Sequence, residues 1–278
     1  MAQYTNQARL TYGNVVTNSN IAVGEVVSTI SAIKIALNET YTQNSTITYI
    51  ITVSNSGTST INNLTVNDNL GEYPFGIGSL IPLDYVDGTL RYFINGILQP
   101  TPSIDLSNGL TINNISVPAG ETSILIYEAR VNIYAPLNED GCITNEVTIT
   151  GDCGNTTATA RVCADDSAQI TITKSISPVP VACGGTVTYT FLLQNYGAIP
   201  LVATDNAVVT DSFNPILSNV TASLNGVAIP FTYDETTGAF ATSEGAVTVP
   251  GATITQDLTT GAWTVTPGVS TLVVTGTI

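Results

Sequence analysis

The two lysines of this chain are the residues whose type and spacing point to covalent chemistry. They are the only lysines in the sequence, Lys34 and Lys174, and they take the same position in two copies of an internal repeat. Lysines used for solubility would be scattered. Burial makes a lysine amine neutral and nucleophilic, and it keeps a nearby carboxyl group protonated so that the acid can polarise an amide. A Lys, an acid and an Asn that meet in a core can thus condense into an isopeptide bond.

In the first copy, the residues that suit this reaction are Lys34, Asp68 and Asn145, each in a fitting strand position. The alternative is structural: Lys34 begins a strand and faces solvent, Asp68 caps a turn, as Asp commonly does, and Asn145 starts a strand. Condensation would lower the mass of the chain by one ammonia, and an unchanged mass would exclude it.

The second copy offers Lys174 and Asp211 at the equivalent positions. Its only matching carboxamide is that of Asn6, near the other end of the chain. A bond between Lys174 and Asn6 would therefore join two chains.

The repeat is found by comparing the sequence with itself. The segments that begin at Lys34 and Lys174 share the pattern Lys-x-hydrophobic, then Thr-hydrophobic-Thr-Tyr, then Asn-x-Gly, then Val-x-Asp. Further on, Asn95-Gly96 in the first copy corresponds to Asn225-Gly226 in the second, a two-residue hairpin signal in both.

Between these landmarks, apolar and polar residues alternate with a period of two, as in residues 46–53 and 186–192. Such alternation, punctuated by Asn, Gly and Pro, is typical of half-buried strands. The sequence therefore predicts an all-β chain. It consists of an N-terminal hairpin over residues 1–30 and two tandem immunoglobulin-like β-sandwich repeats over 31–166 and 167–278.

These motifs resemble a bacterial conserved surface repeat called domain of unknown function eleven, which occurs in tandem in large envelope and surface proteins. That repeat often ends with a strand of the form Thr-Asn-x-Ala-x-Val-Thr, and residues 144–150 fill this place. The chain also resembles the ribbon-appendage subunits of clostridial spores. The resemblance implies a protein of the bacterial spore or cell surface, extracellular once mature. In surface sandwiches of Gram-positive bacteria, a first-strand Lys condenses with a last-strand Asn in the way described above.

The second copy stops after the strand at residues 272–278, before the closing hairpin that the first copy has at residues 144–163. A matching hairpin stands near the N-terminus instead. We therefore expect residues 4–23 to fill the open edge of the second repeat of a neighbouring chain, by strand addition that can run on into a fibre. Closure within one chain is an alternative, as is a third, incomplete repeat that sits on the first.

The four cysteines suggest disulfides formed in an oxidising environment. Cys142 and Cys163 bracket the closing hairpin and can face each other across it, which leaves Cys153 and Cys183 to pin the two repeats together. All three connectivities remain open. A four-cysteine zinc site is the rival, but the spacings lack the closely paired cysteines of such sites.

Composition argues against other classes of function. The chain has no histidine, which is the usual general base, so we expect no enzyme, cofactor or metal site. A net charge of −15 disfavours nucleic acid as a partner, no apolar stretch is long enough for membrane insertion, and the first residues lack the pattern of a signal peptide. The expected partner is the chain itself, as a homopolymer, or other appendage proteins. The expected role is structural, with a surface adhesin or carbohydrate-binding module as the alternative.

Overall fold

The chain is described by a computed structural model that covers residues 2–26, 29–138, 140–151 and 154–278. Within these ranges it is built of β-strands, with one short 3-10 helix at Ala203–Asp205. The all-β prediction is confirmed. No helix of the described residues has the length and apolar character needed to cross a membrane.

The chain divides into two compact units. The first unit comprises Met1–Ala135 and Cys142–Cys163, and the second comprises Pro136–Gly141 and Ala164–Ile278.

The first unit begins with a hairpin of four short strands. These are β1 (Ala2–Asn6), β2 (Arg9–Tyr12), β3 (Val15–Asn18) and β4 (Ala22–Val26). Strand β1 pairs with β4 and β2 pairs with β3, both antiparallel. The turn between β2 and β3 contains Gly13 at a φ of 55°. Residues 2–26 are called the N-terminal hairpin below.

The rest of the first unit forms two large sheets. Its strands are β5 (Ile30–Ala36), β6 (Thr40–Tyr41), β7 (Thr46–Asn55), β8 (Ile61–Asp68), β9 (Tyr73–Phe75), β10 (Gly78–Leu80), β11 (Leu83–Tyr85), β12 (Arg91–Ile94), β13 (Ile97–Leu98), β14 (Ile104–Asp105), β15 (Leu110–Val117), β16 (Thr122–Val131), β17 (Cys142–Gly151) and β18 (Gly154–Ala164). One sheet has the order β13-β12-β16-β7-β5, with β11 also paired to β16, and the other has the order β14-β15-β8-β17-β18-β6. Strands β9 and β10 form a separate two-stranded ribbon.

The core of the first unit lies between these two sheets. Strands β7 and β16 alternate between buried and half-buried positions along their length, which is the two-residue period of a strand with one face in a core. The fully buried side chains come from both sheets, among them Ile51, Val53 and Leu125 on one and Val66, Ile112 and Val147 on the other.

The second unit repeats the first sheet and only half of the second. Its strands are β19 (Ile170–Ser177), β20 (Thr186–Asn195), β21 (Thr210–Ser212), β22 (Ser218–Leu224), β23 (Val227–Ala228), β24 (Phe231–Tyr233), β25 (Ala239–Thr242), β26 (Thr253–Gln256), β27 (Trp263–Thr266) and β28 (Gly268–Thr277). The order β23-β22-β28-β20-β19 matches β13-β12-β16-β7-β5 strand for strand. The opposite sheet is β24-β25-β21, equivalent to β14-β15-β8. The described residues contain no counterpart of β17 and β18 in the second unit.

The Asn-x-Gly motif of the repeat has the same role in both units. Asn55 accepts a hydrogen bond from the backbone of Gly57 at 2.9 Å, and Asn195 accepts one from Gly197 at 3.0 Å. A Cβ on Gly197 would lie 1.7 Å from the carbonyl oxygen of Ser167. The motif is therefore a turn in which the Asn side chain fixes the backbone and only glycine fits.

Candidate functional site

Lys34 lies in the core, although it belongs to an edge strand. On β5 it is the one buried residue, while Ile33 on the opposite face of the strand is 65% exposed. Around Lys34 the usual arrangement is thus reversed, since Ile33 and Ile35 face outward while the charged residue faces inward. A lysine placed in this way faces the second sheet of its unit, and the structural alternative of a solvent-facing Lys34 is wrong.

Asp68, which lies on the opposite sheet, binds the amine of Lys34. Lys34 Nζ donates to Asp68 Oδ2 at 2.6 Å, and neither side chain has any exposed surface. Oxygen Oδ1 of the same carboxylate accepts from the backbone N–H of Leu70 at 3.0 Å. Asp68 therefore does cap the turn after β8, as the structural alternative expected, and it binds the lysine with its other oxygen.

Tyr127, which was not predicted from the sequence, links the acid to the amide. Its hydroxyl donates to Asp68 Oδ2 at 2.6 Å and accepts from Asn145 Nδ2 at 3.1 Å. Its ring lies 5.5 Å from that of Tyr49, which in turn lies 4.9 Å beneath Lys34 Nζ. The signal available in the sequence was the alternation of β16, which places this polar tip on the core face.

Asn145 is held at its oxygen as well as at its nitrogen. It is fully buried on β17, and its Oδ1 accepts from the backbone N–H of Gly71 at 3.2 Å. Gly71 has a φ of 75°, and a Cβ there would lie 2.5 Å from Ile143 Cγ2. A backbone donor on an amide oxygen stabilises the negative charge that develops when a nucleophile adds to the carbonyl carbon. Gly71 was also not identified from the sequence.

Burial changes the proton affinity of these groups. It lowers the pKa of Lys34 from 10.5 to about 8, even though the charge of Asp68 opposes the shift. Burial also raises the pKa of Tyr127 well above its usual value, so that its hydroxyl remains a donor. The site thus has an amine that loses its proton more easily than an exposed lysine does, a carboxylate hydrogen-bonded to that amine, and a polarised carboxamide.

The equivalent site in the second unit is open. Lys174 Nζ donates to Asp211 Oδ2, but the two side chains are 39% and 17% exposed. The amine also lies 4.7 Å from the ring centre of Tyr189, the counterpart of Tyr49. The position equivalent to Tyr127 is occupied by Val274, which pairs with Tyr189 as Tyr127 pairs with Tyr49. Among the residues that the structure describes, the second site therefore has the amine and the acid but neither the tyrosine nor an Asn.

The face that β17 would cover is also open in the second unit. In the first unit, β17 pairs with β8 and packs across β5. In the second, β21 pairs with β25 alone among the described residues and leaves its other edge free. Ile172 and Ile176 share the face of Lys174 because side chains alternate along a strand, and they are 52% and 45% exposed.

The N-terminal hairpin has the register of the missing hairpin. Strand β17 pairs with β18 in the pairs Thr148–Thr157 and Gly151–Gly154, and β2 pairs with β3 in Arg9–Asn18 and Tyr12–Val15. A single offset of 139 residues relates the two sets. By this offset, the counterparts of the buried residues on β17 are Tyr4, Asn6, Ala8 and Leu10, all of them exposed.

One part of this match needs correction. The sequences of residues 17–23 and 156–162 also match at the offset of 139, but in the structure the pairing slips by one residue beyond Asn18, so that Asn6 faces Ala22. Ser19 causes the slip, because its backbone N–H donates to the carbonyl of Ala8 while its hydroxyl accepts from Ala8 N–H. The extra residue lies between Asn18 and Ala22, so the spacing between Asn6 and Leu10 on the other strand is not changed.

Two of the four cysteines form a disulfide. Cys142 and Cys163 face each other at the start of the β17–β18 hairpin and are bonded, which removes two of the ligands that a zinc site would need. Cys183 is exposed. Its suggested partner, Cys153, lies outside the described residues.

No family model matches the chain, and no curated protein matches it. Among solved structures, the C-terminal domain of the AgI/II polypeptide BspA of Streptococcus agalactiae is 12% identical, with 89% of this chain and 91% of that one covered and a TM-score of 0.34. The pilus backbone RrgB of Streptococcus pneumoniae is 10% identical, with 86% and 55% covered and a TM-score of 0.35. The major pilin subunit BcpA of Bacillus cereus is 11% identical, with 94% and 70% covered and a TM-score of 0.36. Likeness at this level assigns no function.

Proposed function

We propose that this chain is a structural subunit of a bacterial appendage or filament. The N-terminal hairpin of one subunit completes the second unit of the next, and the subunits join head to tail. The role is mechanical and not enzymatic. The resemblance of the repeat motifs supports a location on the spore or cell surface, and the free edge of β21 and the pairing of the N-terminal hairpin support the mode of assembly.

One observation carries the proposal. Strands β2 and β3 of the N-terminal hairpin repeat the register of β17–β18, and the second unit exposes the face and the strand edge that the β17–β18 hairpin covers in the first. The donor side offers Tyr4 and Leu10, which are 60% and 62% exposed. Burying a side chain of this size contributes about 1.5–3 kcal/mol when burial is complete. The backbone of β21 would gain a ladder of hydrogen bonds along its free edge.

The geometry of this contact leads to open assemblies. Donor and acceptor are different parts of the chain, so the interface is heterologous and each added subunit brings a new donor and a new acceptor. Strand addition of this kind gains affinity from the main chain and specificity from alternate side chains. The acceptor face contains Ile172, Lys174 and Ile176, which suits a strand with an apolar face and one amide on it.

The first unit is proposed to lock itself with a bond between Lys34 and Asn145. Lys34 transfers its proton to Asp68, and the neutral amine attacks Cγ of Asn145. The Nζ–Cγ bond forms, a proton of the amine passes through the acid to Nδ2, and the Cγ–Nδ2 bond breaks. Ammonia leaves and Asp68 ends protonated. Gly71 N–H holds the oxygen on which negative charge develops.

Electron microscopy and sedimentation of the purified chain test the assembly. The wild-type chain is expected to form filaments. Leu10→Glu places a charge on the face that must enter the groove, and it should leave the chain as dispersed monomers. Thr11→Glu is the matched control, since Thr11 is the neighbouring exposed residue on the opposite face of β2, and it should assemble normally.

Filaments of the Leu10→Glu chain would overturn strand addition by this hairpin. Monomeric wild-type protein at high concentration would overturn assembly itself, and it would favour the adhesin or carbohydrate-binding alternative.

A further inference from the structure

The pair Lys174–Asp211 occupies the position of Lys34–Asp68, but it lacks the strand that covers the first site. In the first unit that strand is β17, which brings Asn145 to the amine. In the second unit, Lys174 is 39% exposed on the face that β17 would cover. Water reaches the amine, and the described residues of the second unit place no carboxamide beside it.

The offset of 139 residues, counted along the donor strand, brings Asn6 to this place. In the first unit, Val147 pairs with Asp68, and Asn145 lies two residues before Val147. Counted back along the donor strand from the pairs of β2 and β3, which keep the offset of 139, Ala8 takes the position of Val147 and Asn6 takes that of Asn145. A hairpin docked in this register therefore sets the Asn6 carboxamide against the lysine of another molecule.

We propose that Lys174 of one subunit and Asn6 of the next form an intermolecular isopeptide bond, and that docking of the hairpin is what switches the reaction on. This inference rests on the proposed function, because the hairpin must dock first. The incoming strand supplies the carboxamide and at the same time excludes water from Lys174 and Asp211. The chain in solution thus carries an unreactive half-site, and only assembly makes it reactive.

The step balances within the two chains. Lys174 passes its proton to Asp211, and the neutral amine attacks Cγ of Asn6. The Nζ–Cγ bond forms, the Cγ–Nδ2 bond breaks, and ammonia leaves with a proton that the amine has given up through Asp211. Each junction loses one ammonia, and no oxidant, nucleotide or further enzyme is required.

The surroundings of Lys174 prepare it for this role. Its amine lies over the rings of Tyr189, Phe191 and Phe213 at 4.7, 5.4 and 5.3 Å. These rings hold the cation in place and form an apolar floor beneath it. Val274 replaces the tyrosine of the first site, so Asp211 lacks one hydrogen-bond donor. We therefore expect the reaction at the second site to be slower than that at the first.

Two full-length variants make a complementary pair. Asn6→Ala keeps the acceptor lysine and loses the carboxamide, whereas Lys174→Gln keeps Asn6 and loses the amine. Assembled samples are boiled in denaturant, run on a gel and weighed by mass spectrometry. The wild-type chain should give a ladder in which each junction has lost one ammonia, with Asn6 and Lys174 in one crosslinked peptide.

Each variant alone should form filaments that dissolve into monomers. Their mixture should give a covalent dimer and nothing larger, because only one junction can react. Thr5→Ala, next to Asn6 on β1, is the control and should give the full ladder.

Wild-type filaments that dissolve entirely into monomers would overturn the covalent junction while strand addition stands. A ladder that persists in Asn6→Ala would also overturn it. Absence of both filaments and ladder would overturn the assembly as well as the bond.

Discussion

Lys34 Nζ lies 2.6 Å from Asp68 Oδ2, and no part of either side chain is exposed to solvent. The pair bridges the two sheets of the first unit, since Lys34 belongs to β5 and Asp68 ends β8. The chain contains the same pair a second time, Lys174 and Asp211, in an environment that is open to water. One molecule thus offers an internal comparison between a closed and an open form of the same site.

Replacing Lys34 should abolish the bond in the first unit. The wild-type chain is expected to weigh one ammonia less than its sequence requires before any assembly, whereas Lys34→Met should have the full mass. Asp68→Asn should also have the full mass, because the amide cannot accept the proton of the lysine. Lys174→Met is the control and should still lose one ammonia. A wild-type chain that has the full mass calculated from its sequence would contradict the prediction.

The same bond should raise stability. A crosslink that closes a loop of about a hundred residues stabilises a protein by roughly 4–5 kcal/mol if it acts as a disulfide does. Asn145→Ala should therefore unfold at a lower denaturant concentration than wild type. Equal midpoints for the two chains in urea would argue against a crosslink between β5 and β17.

Tyr127→Phe should slow the condensation without preventing it. The variant loses the hydroxyl that positions both Asp68 and Asn145, and misplaced groups cost on the order of tenfold to a hundredfold in rate. The loss of ammonia is followed over time by mass spectrometry of chains freshly synthesised in vitro, before the reaction is complete. Tyr92→Phe is the control, since its hydroxyl bonds to the backbone of Ser116 outside the site. Equal rates in the two variants would mean that Tyr127 has only a structural role.

Gly71→Ala should lower stability and also slow bond formation. Alanine is strained at a φ of 75°, and its Cβ would lie 2.5 Å from Ile143, so the N–H that holds Asn145 must move. Strain of this kind costs about 1–3 kcal/mol. Gly76→Ala separates the two causes, because Gly76 also has a positive φ but nothing within 4 Å of a Cβ. It should reduce stability modestly and leave the rate unchanged.

The lowered pKa of Lys34 predicts a pH dependence in Asn145→Ala, where the amine stays free. The folded chain releases the Lys34 proton at about pH 8 and the unfolded chain near 10.5. The unfolded state therefore binds more protons in between, and stability should rise with pH across that window. Urea unfolding from pH 7 to 10.5 measures the slope. Adding Lys34→Met should remove this part of the slope, and an unchanged slope would show that other groups cause it.

A charge introduced on the acceptor face of β19 should block assembly, whereas a charge on the opposite face of the strand should not. Ile172→Glu places a carboxylate on the side that receives the hairpin and should block assembly. Thr173→Glu places it on the outer side and should not. Sedimentation velocity of the two variants at equal concentration distinguishes them. Assembly of both would remove β19 from the interface.

The repeat allowed much of the site to be predicted from the sequence. Lys34, Asp68 and Asn145 were identified because they align with a second copy or with the hairpin, and they meet in one buried cluster. Tyr127 was missed for the same reason, since its counterpart is Val274 and comparison of the copies cannot find a residue that only one of them has. Gly71 acts through its backbone, which leaves no mark in the pattern of side chains.

The sequence alone also left open whether the Lys34 side chain faces the core or the solvent. In β5, Ile33 and Ile35 flank Lys34, and an apolar pattern predicts that these two isoleucines face the core. The lysine and alanines face inward instead, because Asp68 and Tyr49 give the amine partners on that side. A short strand at a sheet edge buries too little area for its own pattern to decide which face is inside.

The separation between Lys34 on β5 and Asn145 on β17 has a mechanical consequence. With the proposed bond in place, a pull on the chain on either side of the first unit would pass from β5 through the side-chain amide to β17. The polypeptide between residues 34 and 145 would then bear no tension, including β7, β16 and the whole core. The first unit would transmit load without unfolding, up to the strength of a covalent bond.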